Sequence, residues 1–274
     1  MNLQESYSKK NSILREIFFG SHPLSLLGHP YAINRSGLKQ AVGVLAKEAK
    51  AGALLDVGCG VMPYRRLFPK NEPYEGLEIG SRHQSTNKLA KYFYDGGAFP
   101  VESGHYSCIT CFQVLEHCEN PTFLLKECFR ALEDEGTLIL TMPFMWPEHE
   151  QPWDFQRYTR NGLERTLKAS GFEVRKIIRV NSGISSLIQL TIDWIDSLYR
   201  LVHRKVKYRP LRAFVLLSWR FLTAVPYTAL NLLALMPRLT SDPIKDDFNC
   251  AKPQHQHRRP ELYLDLAVIA TKNS

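Results

Sequence analysis

Leu54-Leu55-Asp56-Val57-Gly58-Cys59-Gly60 is the stretch on which the architecture turns. With Ala53 before it, the run is apolar apart from Asp56 and shows no polar alternation, which predicts a strand buried on both faces. The glycines after it predict a turn where backbone can approach a ligand closely. Pro63 suits the first turn of a helix, so the expected order is strand, glycine turn, helix, with free helix amides offered to an anionic group. Tyr74 to Ile79 reads as a second strand ending on an acid. That acid, Glu78, lies 18 residues beyond Gly60, about where a carboxylate that grips ribose hydroxyls belongs in nucleotide-binding folds.

Working outward, Asn34 to Lys50 has helical spacing at Leu38, Ala41, Val42, Leu45 and Ala49. Ser107 to Phe112 is a further apolar run, and Pro121 to Leu132 carries helical periodicity through Phe123, Leu124, Cys128 and Leu132. Thr137 to Met142 reads as a buried strand closed by Pro143. Thr159 is expected to cap a helix to Ser170, ended by Gly171, and Phe172 to Val180 alternates as a strand. Tyr263 to Thr271 is the last strand-like run. Strands alternating with helices predict a doubly wound α/β sheet with a central parallel part. Residues 181–260 interrupt it with two apolar helical segments, Ile184 to Leu201 and Leu211 to Met236. The expected organisation is an N-terminal helical segment (1–50), a core (51–180), a basic, apolar helical insertion (181–260) and a last core strand (261–274).

Leu54 to Gly60 resembles the first motif of class I S-adenosylmethionine-dependent methyltransferases. Asp95-Gly96-Gly97-Ala98-Phe99-Pro100 is similar to that family's adenine-holding loop, and Phe112 to His117 resembles its segment after the fourth strand. Pro121 to Leu132 with Glu135-Gly136 resembles the stretch leading into its fifth strand. Pro152 to Thr159, then Gly162-Leu163 and Ser170-Gly171-Phe172, is similar to a signature of the methyltransferase type 11 group. The resemblance covers about Leu54 to Val180 and resumes at Tyr263 to Lys272. It implies a seven-stranded, Rossmann-like class I methyltransferase sheet with a helical insertion before the last strand.

The resemblance also implies roles. Gly58, Cys59 and Gly60 would accommodate the methionine portion of S-adenosylmethionine, with Asp56 ordering that loop. Glu78 would accept from both ribose hydroxyls, Asp95 from the adenine amine, and the Gly96 amide would lie near a ring nitrogen; Gln113 joins the cofactor-binding set. Three departures from the family pattern stand out: Val61-Met62 where a further glycine is frequent, Ser107 where an aspartate commonly precedes the fourth strand, and one glycine rather than two at Glu135-Gly136. An alcohol acceptor needs a base with a pKa near working pH. His117 is the first candidate and His149, after the fifth strand, the second; a structural histidine bonding to a neighbouring loop is the competing account of His117. Asp154 and Arg157 are expected to order a substrate lid as an ion pair.

The net charge of +8 is concentrated. Between Arg200 and Arg259 there are 12 Lys/Arg against three Asp, and the remainder is close to neutral. Arg220 divides the apolar run there, and the longest uncharged stretch, Phe221 to Pro237, has 17 residues and contains Pro226. A bilayer span needs roughly 17–25 apolar residues, so spanning is not expected. Two accounts stay open: a helical lid packed by its apolar face, or an interfacial segment. In the second, Leu211, Phe214, Leu217, Trp219, Phe221 and Leu222 form an apolar side, and Arg204, Lys205, Lys207, Arg209 and Arg212 face anionic headgroups.

Six cysteines and no secretory-type apolar stretch in Met1 to Gly20 predict a reducing, cytoplasmic setting, peripheral on the inner membrane face if the insertion binds lipid. Cys108 and Cys111 have zinc-like spacing but lie along one predicted strand, so buried thiols are expected; His255-x-His257 is a polar-loop pair, and no metal site is assigned. Nucleic acid is not expected as a partner, and oligomeric state is left open. Pro63 occupies the last glycine position of G-x-G-x-x-G, which disfavours a nicotinamide cofactor. The expected function is methyl transfer from S-adenosylmethionine to a small-molecule, lipid-linked or glycan-linked acceptor at oxygen. The alternative is a non-catalytic membrane-associated module that keeps the cofactor-binding fold.

Overall fold

The run Leu54–Val57 forms β1 in a computed structural model that describes residues 22–80, 88–206, 208–240 and 262–273. All four residues of β1 are buried, as a strand covered on both faces requires. Its neighbours are β2 (Tyr74–Ile79) on one side and β4 (Tyr106–Phe112) on the other, both parallel to it. β3 (Tyr92–Tyr94) extends the sheet beyond β2; β5 (Leu132–Pro143), β7 (Tyr263–Lys272) and β6 (Phe172–Ser182) extend it beyond β4. The order is β3-β2-β1-β4-β5-β7-β6, seven strands, with β7 antiparallel to β5. Because strand order reverses between β1 and β4, the loops leaving their carboxyl ends diverge, and in open α/β sheets that crevice is where ligands bind.

Around the strands lie α1 (Ala32–Leu45), α2 (Pro121–Ala131) and α3 (Arg160–Ala169). α2 starts on Asn120, whose side chain accepts from the Phe123 amide at 3.0 Å, with Pro121 in the first turn. It buries Leu124, Leu125, Cys128 and Ala131. α3 starts on Thr159, whose hydroxyl accepts from the Gly162 amide at 3.2 Å, and so begins where the sequence predicts.

Two elements differ from expectation. The glycine turn is followed by a single 3-10 turn, Arg65–Leu67, and not by an α-helix. Pro63, Pro69 and Pro73 leave too few consecutive residues with free amides and unrestricted backbone for several helical turns. β5 is also longer than expected and begins at the last residue assigned to the preceding helix. It absorbs Glu133 to Gly136 as an irregularity, with pairing jumping from Tyr106–Leu132 to Cys108–Thr137 and Glu135 at φ 59°.

The described residues divide into two compact units: one made of residues 22–39, 181–240 and 262–263, the other of residues 40–180 and 264–273. The first holds α4 (Ile184–Lys205) and α5 (Arg209–Thr240), which share an apolar cluster of Ile33, Ile188, Ile192, Tyr227 and Ala234. Gln189, buried within it, donates to the Pro30 carbonyl at 2.7 Å and accepts from the Asn34 amide at 3.0 Å. Along α5, Phe214, Leu217, Phe221, Leu222 and Val225 are exposed, Phe221 at 88%. Trp219 does not join them; its indole stacks on Tyr199 of α4, with ring centroids 5.6 Å apart. Two residues from Leu217 and two from Phe221, position 219 falls on the opposite side of the helix from both. Arg220, an exposed residue, lies 3.6 Å from the buried Asp196. The side chains of Arg204, Lys205, Arg209 and Arg212, Lys207 itself and the pair His255 and His257 lie outside the described residues. Among the described residues no helix is long and apolar enough to cross a membrane.

Candidate active site at the carboxyl ends of β1, β2, β4 and β5

The glycine turn is built by steric necessity. Gly58 has φ 66°, and a Cβ there would lie 2.3 Å from Val114 Cγ2 in the loop after β4. No side chain fits. The Gly58 and Cys59 amides both donate to the Leu77 carbonyl, at 2.8 and 3.2 Å. Glu78, at the end of β2, is 7% exposed; its Oε2 accepts from the Gly60 amide at 3.0 Å and its Oε1 from the Ile79 amide at 3.1 Å. A carboxylate offers about four lone-pair sites, so neither bond exhausts its oxygens. Around Gly60 the space is open, as it is at Gly96 and Gly97, where an added Cβ would meet nothing within 4 Å.

Asp56 is buried beneath this turn, and its hydrogen bonds go to the flanking strands. Tyr74 donates to Oδ2 at 2.8 Å and Thr110 to Oδ1 at 2.7 Å. Burial raises its carboxyl to about 6 against these two bonds. The order of the glycine turn therefore comes from Leu77 and Glu78; Asp56 ties β2, β1 and β4 together. Asp95 is exposed and its Oδ1 would lie 3.0 Å from a Cβ on Gly80, two residues beyond Glu78 in the chain. The stretch after Gly97 is clamped from α2: Glu127 accepts from the Phe99 amide at 2.7 Å, and Arg130 donates to the Phe99 and Val101 carbonyls at 3.1 and 3.0 Å. Gln113 sits at φ 55°, with its side-chain nitrogen donating to Thr141 at 3.2 Å. The chain thus offers open glycine backbone, a buried carboxylate at the end of β2 and an Asp95-Gly96-Gly97 turn leading into a stretch clamped at Phe99 and Val101, which fits an adenosyl cofactor with a methionine tail.

On the other side of this crevice, His117 and His149 come together, their ring centroids 4.8 Å apart. His117 Nδ1 lies 2.5 Å from the Trp153 carbonyl, which can only accept, so Nδ1 carries the proton and Nε2 the lone pair. The expected bond to a neighbouring loop is present, and it orients the ring. His149 Nδ1 lies 3.2 Å from Asp154 Oδ2, 3.3 Å from the Pro147 carbonyl and 3.5 Å from Arg157 Nη2; the two oxygens are nearer than the guanidinium and favour the proton on Nδ1. Burial lowers the His117 pKa below the ordinary histidine value, so the neutral ring prevails at neutral pH.

Behind them Arg157 holds Asp154 with two bonds, 2.6 Å to Oδ1 and 2.8 Å to Oδ2. Burial alone would raise Asp154; the bonds from Arg157 and the His149 amide outweigh it and hold the carboxyl down at about 2. Gln156 donates to the Leu115 and Cys118 carbonyls at 2.9 Å each, and the Phe155 amide to the Glu116 carbonyl at 2.9 Å, which knits the two loops. Glu116, absent from the sequence-derived site, is fully buried, and neither carboxylate oxygen has a hydrogen-bond partner among the described residues. Its Oε1 is 3.9 Å from His117 Nε2, and burial pushes it up to about 8. Adjacency to His117 was the only signal for it in the sequence. Cys108 and Cys111 are buried within β4, in no disulfide, and burial raises both thiols, Cys108 to about 12.

A seven-stranded sheet in this order, with its last strand antiparallel and a glycine turn and carboxylate at the ends of β1 and β2, defines the class I methyltransferase architecture. Residues 32–177, more than half of the chain, match the family described as "Methyltransferase domain". The chain belongs to the S-adenosylmethionine-dependent class I methyltransferases, and S-adenosylmethionine is its cofactor. A search of curated proteins finds no match. Among solved structures, the [4+2]-cyclase SpnF is 17% identical over 85% of this chain and 80% of its own, with a TM-score of 0.46. The YcgJ protein of Bacillus subtilis is 12% identical over 86% of this chain and 99% of its own, TM-score 0.45. Phosphoethanolamine N-methyltransferase 2 of Haemonchus contortus, solved with phosphomonomethylethanolamine and S-adenosylhomocysteine, is 15% identical over 93% of this chain and 57% of its own, TM-score 0.48.

Proposed function

We propose that the chain methylates a hydroxyl oxygen of a small or lipid-linked acceptor, such as a glycan, a quinone or a polyprenyl-linked sugar. The observation that carries this reading is the pair His117 and His149, each with Nδ1 engaged by oxygen and Nε2 left as a base. The bound cofactor supplies a sulfonium methyl and leaves as S-adenosylhomocysteine. Alignment of the acceptor oxygen with that methyl provides much of the acceleration. His117 Nε2 takes the proton the oxygen must lose, and His149 is the second base. Gly58, Cys59 and Gly60 hold the methionine portion, Glu78 the ribose hydroxyls and Asp95 the adenine amine, with the Gly96 amide and Gln113 beside them.

The catalytic core is residues 51–180 with 261–274, and residues 181–260 are an insertion that touches lipid from the cytoplasmic side. Exposed Phe214, Leu217, Phe221 and Leu222 on α5 support that contact. The test is turnover with isotopically labelled methyl donor against a lysate and its lipid extract. Label in a base-stable, small or organic-extractable product supports the reading. Label confined to protein or nucleic acid overturns the acceptor class, and intact cofactor binding without any labelled product leaves the non-catalytic module.

A further inference from the structure

Three groups with metal-ligating chemistry converge beside the acceptor face. One ligand atom from each of Glu116, His117 and His149 can be chosen so that all lie within 4.8 Å of one another, which one ion can span. Three independent features make this more than a cluster. The Nδ1 of each histidine is turned to an oxygen, the Trp153 carbonyl for His117 and the Asp154 carboxylate for His149, the arrangement by which metal-binding histidines are oriented and their other nitrogen made a better donor. The Glu116 carboxylate is fully buried and neither oxygen finds a hydrogen bond among the described residues, a costly placement that a cation at this spot would relieve. The backbone on both sides is fastened by Gln156 and the Phe155 amide, so the ligands are held before any ion arrives.

We propose that Glu116, His117 and His149 form a binding site for one divalent transition-metal ion, of the kind that imidazole and carboxylate share, zinc(II) or manganese(II). Glu150, with Oε2 4.0 Å from His117 Nε2, is placed to add a fourth ligand from the exposed side. With Glu150 swung away, two imidazoles and one carboxylate leave one position of a four-coordinate ion open, which is the composition of catalytic rather than structural sites. This deepens, and rests on, the reading of this face as the acceptor side. With an ion bound, the histidine lone pairs would be committed to it; its charge would lower the pKa of an acceptor hydroxyl at the open position, whose proton would pass to solvent water as the oxygen takes the methyl group.

The test uses the full chain, stripped with a chelator and titrated calorimetrically with zinc(II), manganese(II) and magnesium(II), with cobalt(II) absorption as a spectroscopic probe of coordination. The expected result is one equivalent of zinc(II) or manganese(II) bound at micromolar concentration or tighter. Glu116→Gln and His149→Ala should each weaken binding tenfold or more and alter the cobalt spectrum. His105→Ala, on an exposed position away from the site, and His255→Ala with His257→Ala should leave one equivalent in place. S-adenosylhomocysteine titrations on the same samples report folding independently. Absence of zinc(II) and manganese(II) binding in wild-type chain that binds S-adenosylhomocysteine overturns the proposal. So does metal binding undiminished in Glu116→Gln. Metal bound at one equivalent with no labelled product in the turnover assay would sustain the metal site and overturn the oxygen-transfer reading.

Discussion

Asp154 receives Arg157 through both carboxylate oxygens, at 2.6 and 2.8 Å, and the oxygen nearer His149 also accepts that residue's amide at 2.8 Å. One buried carboxylate thereby fixes the course of the loop after β5 and sits 3.2 Å from the His149 Nδ1. Asp154→Ala should leave S-adenosylhomocysteine affinity within about a factor of two. Methyl transfer should slow about 10- to 100-fold, the usual effect of releasing such an orienting partner. Equal losses in cofactor affinity and turnover would show that the loop serves the cofactor side instead.

Glu78→Ala removes charge-assisted acceptors and also frees the Gly60 amide. The cofactor product should bind more weakly by about 1–3 kcal/mol, roughly 5- to 150-fold, in calorimetric titration. Affinity equal to wild type would mean that the ribose is held elsewhere.

Gly58→Ala brings a methyl to 2.3 Å from Val114 at a backbone angle that side chains rarely adopt. A loss of about 1–3 kcal/mol in denaturant unfolding is expected. Adding Val114→Ala should restore the steric part and leave the backbone part. A double variant no more stable than Gly58→Ala would show that strain alone governs the position.

Asp56 titrates at about 6 in the folded chain against an ordinary value of 3.8, because burial outweighs its two hydrogen bonds. Between these values the folded state keeps a proton that the unfolded chain releases. The Asp56 contribution is therefore greatest below pH 4, declines as pH rises through about 6, and stays low above it, by on the order of 2 kcal/mol. Asp56→Asn lacks this titration. Its Tm relative to wild type should rise between pH 4 and 7, superimposed on a constant cost for disturbing Tyr74 and Thr110; a Tm difference that does not change with pH refutes the assignment.

For the helical unit, Leu217→Asp with Phe221→Asp changes two exposed side chains without touching the Ile33, Ile188, Ile192, Tyr227 and Ala234 cluster. Co-flotation with vesicles containing anionic phospholipid should fall severalfold while cofactor affinity is kept. Flotation unaffected by the pair would assign lipid contact to another surface, and wild-type chain that ignores vesicles would end the interfacial account.

Strands that bury both faces were legible because runs such as Leu54–Val57 and Thr137 to Met142 are mostly apolar without alternation, as strands in a sheet interior are. Glu78 was legible by its spacing from Gly60. β3 was not, since Tyr92–Tyr94 is three half-buried residues at a sheet edge, with too little sequence to show a period. The missing helix after Gly60 was implicit in Pro63, Pro69 and Pro73, but a proline also suits a helix start, and the favourable half of that ambiguity prevailed. Trp219 was assigned outward by its hydrophobicity, whereas its stacking partner, Tyr199, lies on another helix. Glu116 escaped because its importance lies in what surrounds it: complete burial, two histidines and no bonding partner, none of them visible in a residue letter.

The loop after β5 is pinned at the Trp153 carbonyl, the Asp154 carboxylate, the Phe155 amide and the Gln156 amide group, yet the Phe155 side chain is 44% exposed. Backbone order and side-chain identity are decoupled at position 155, because none of those fastenings uses the phenyl ring. Randomising position 155 should consequently yield a library of folded, cofactor-competent chains that differ in which acceptors they admit, an unusual freedom so close to the reacting groups.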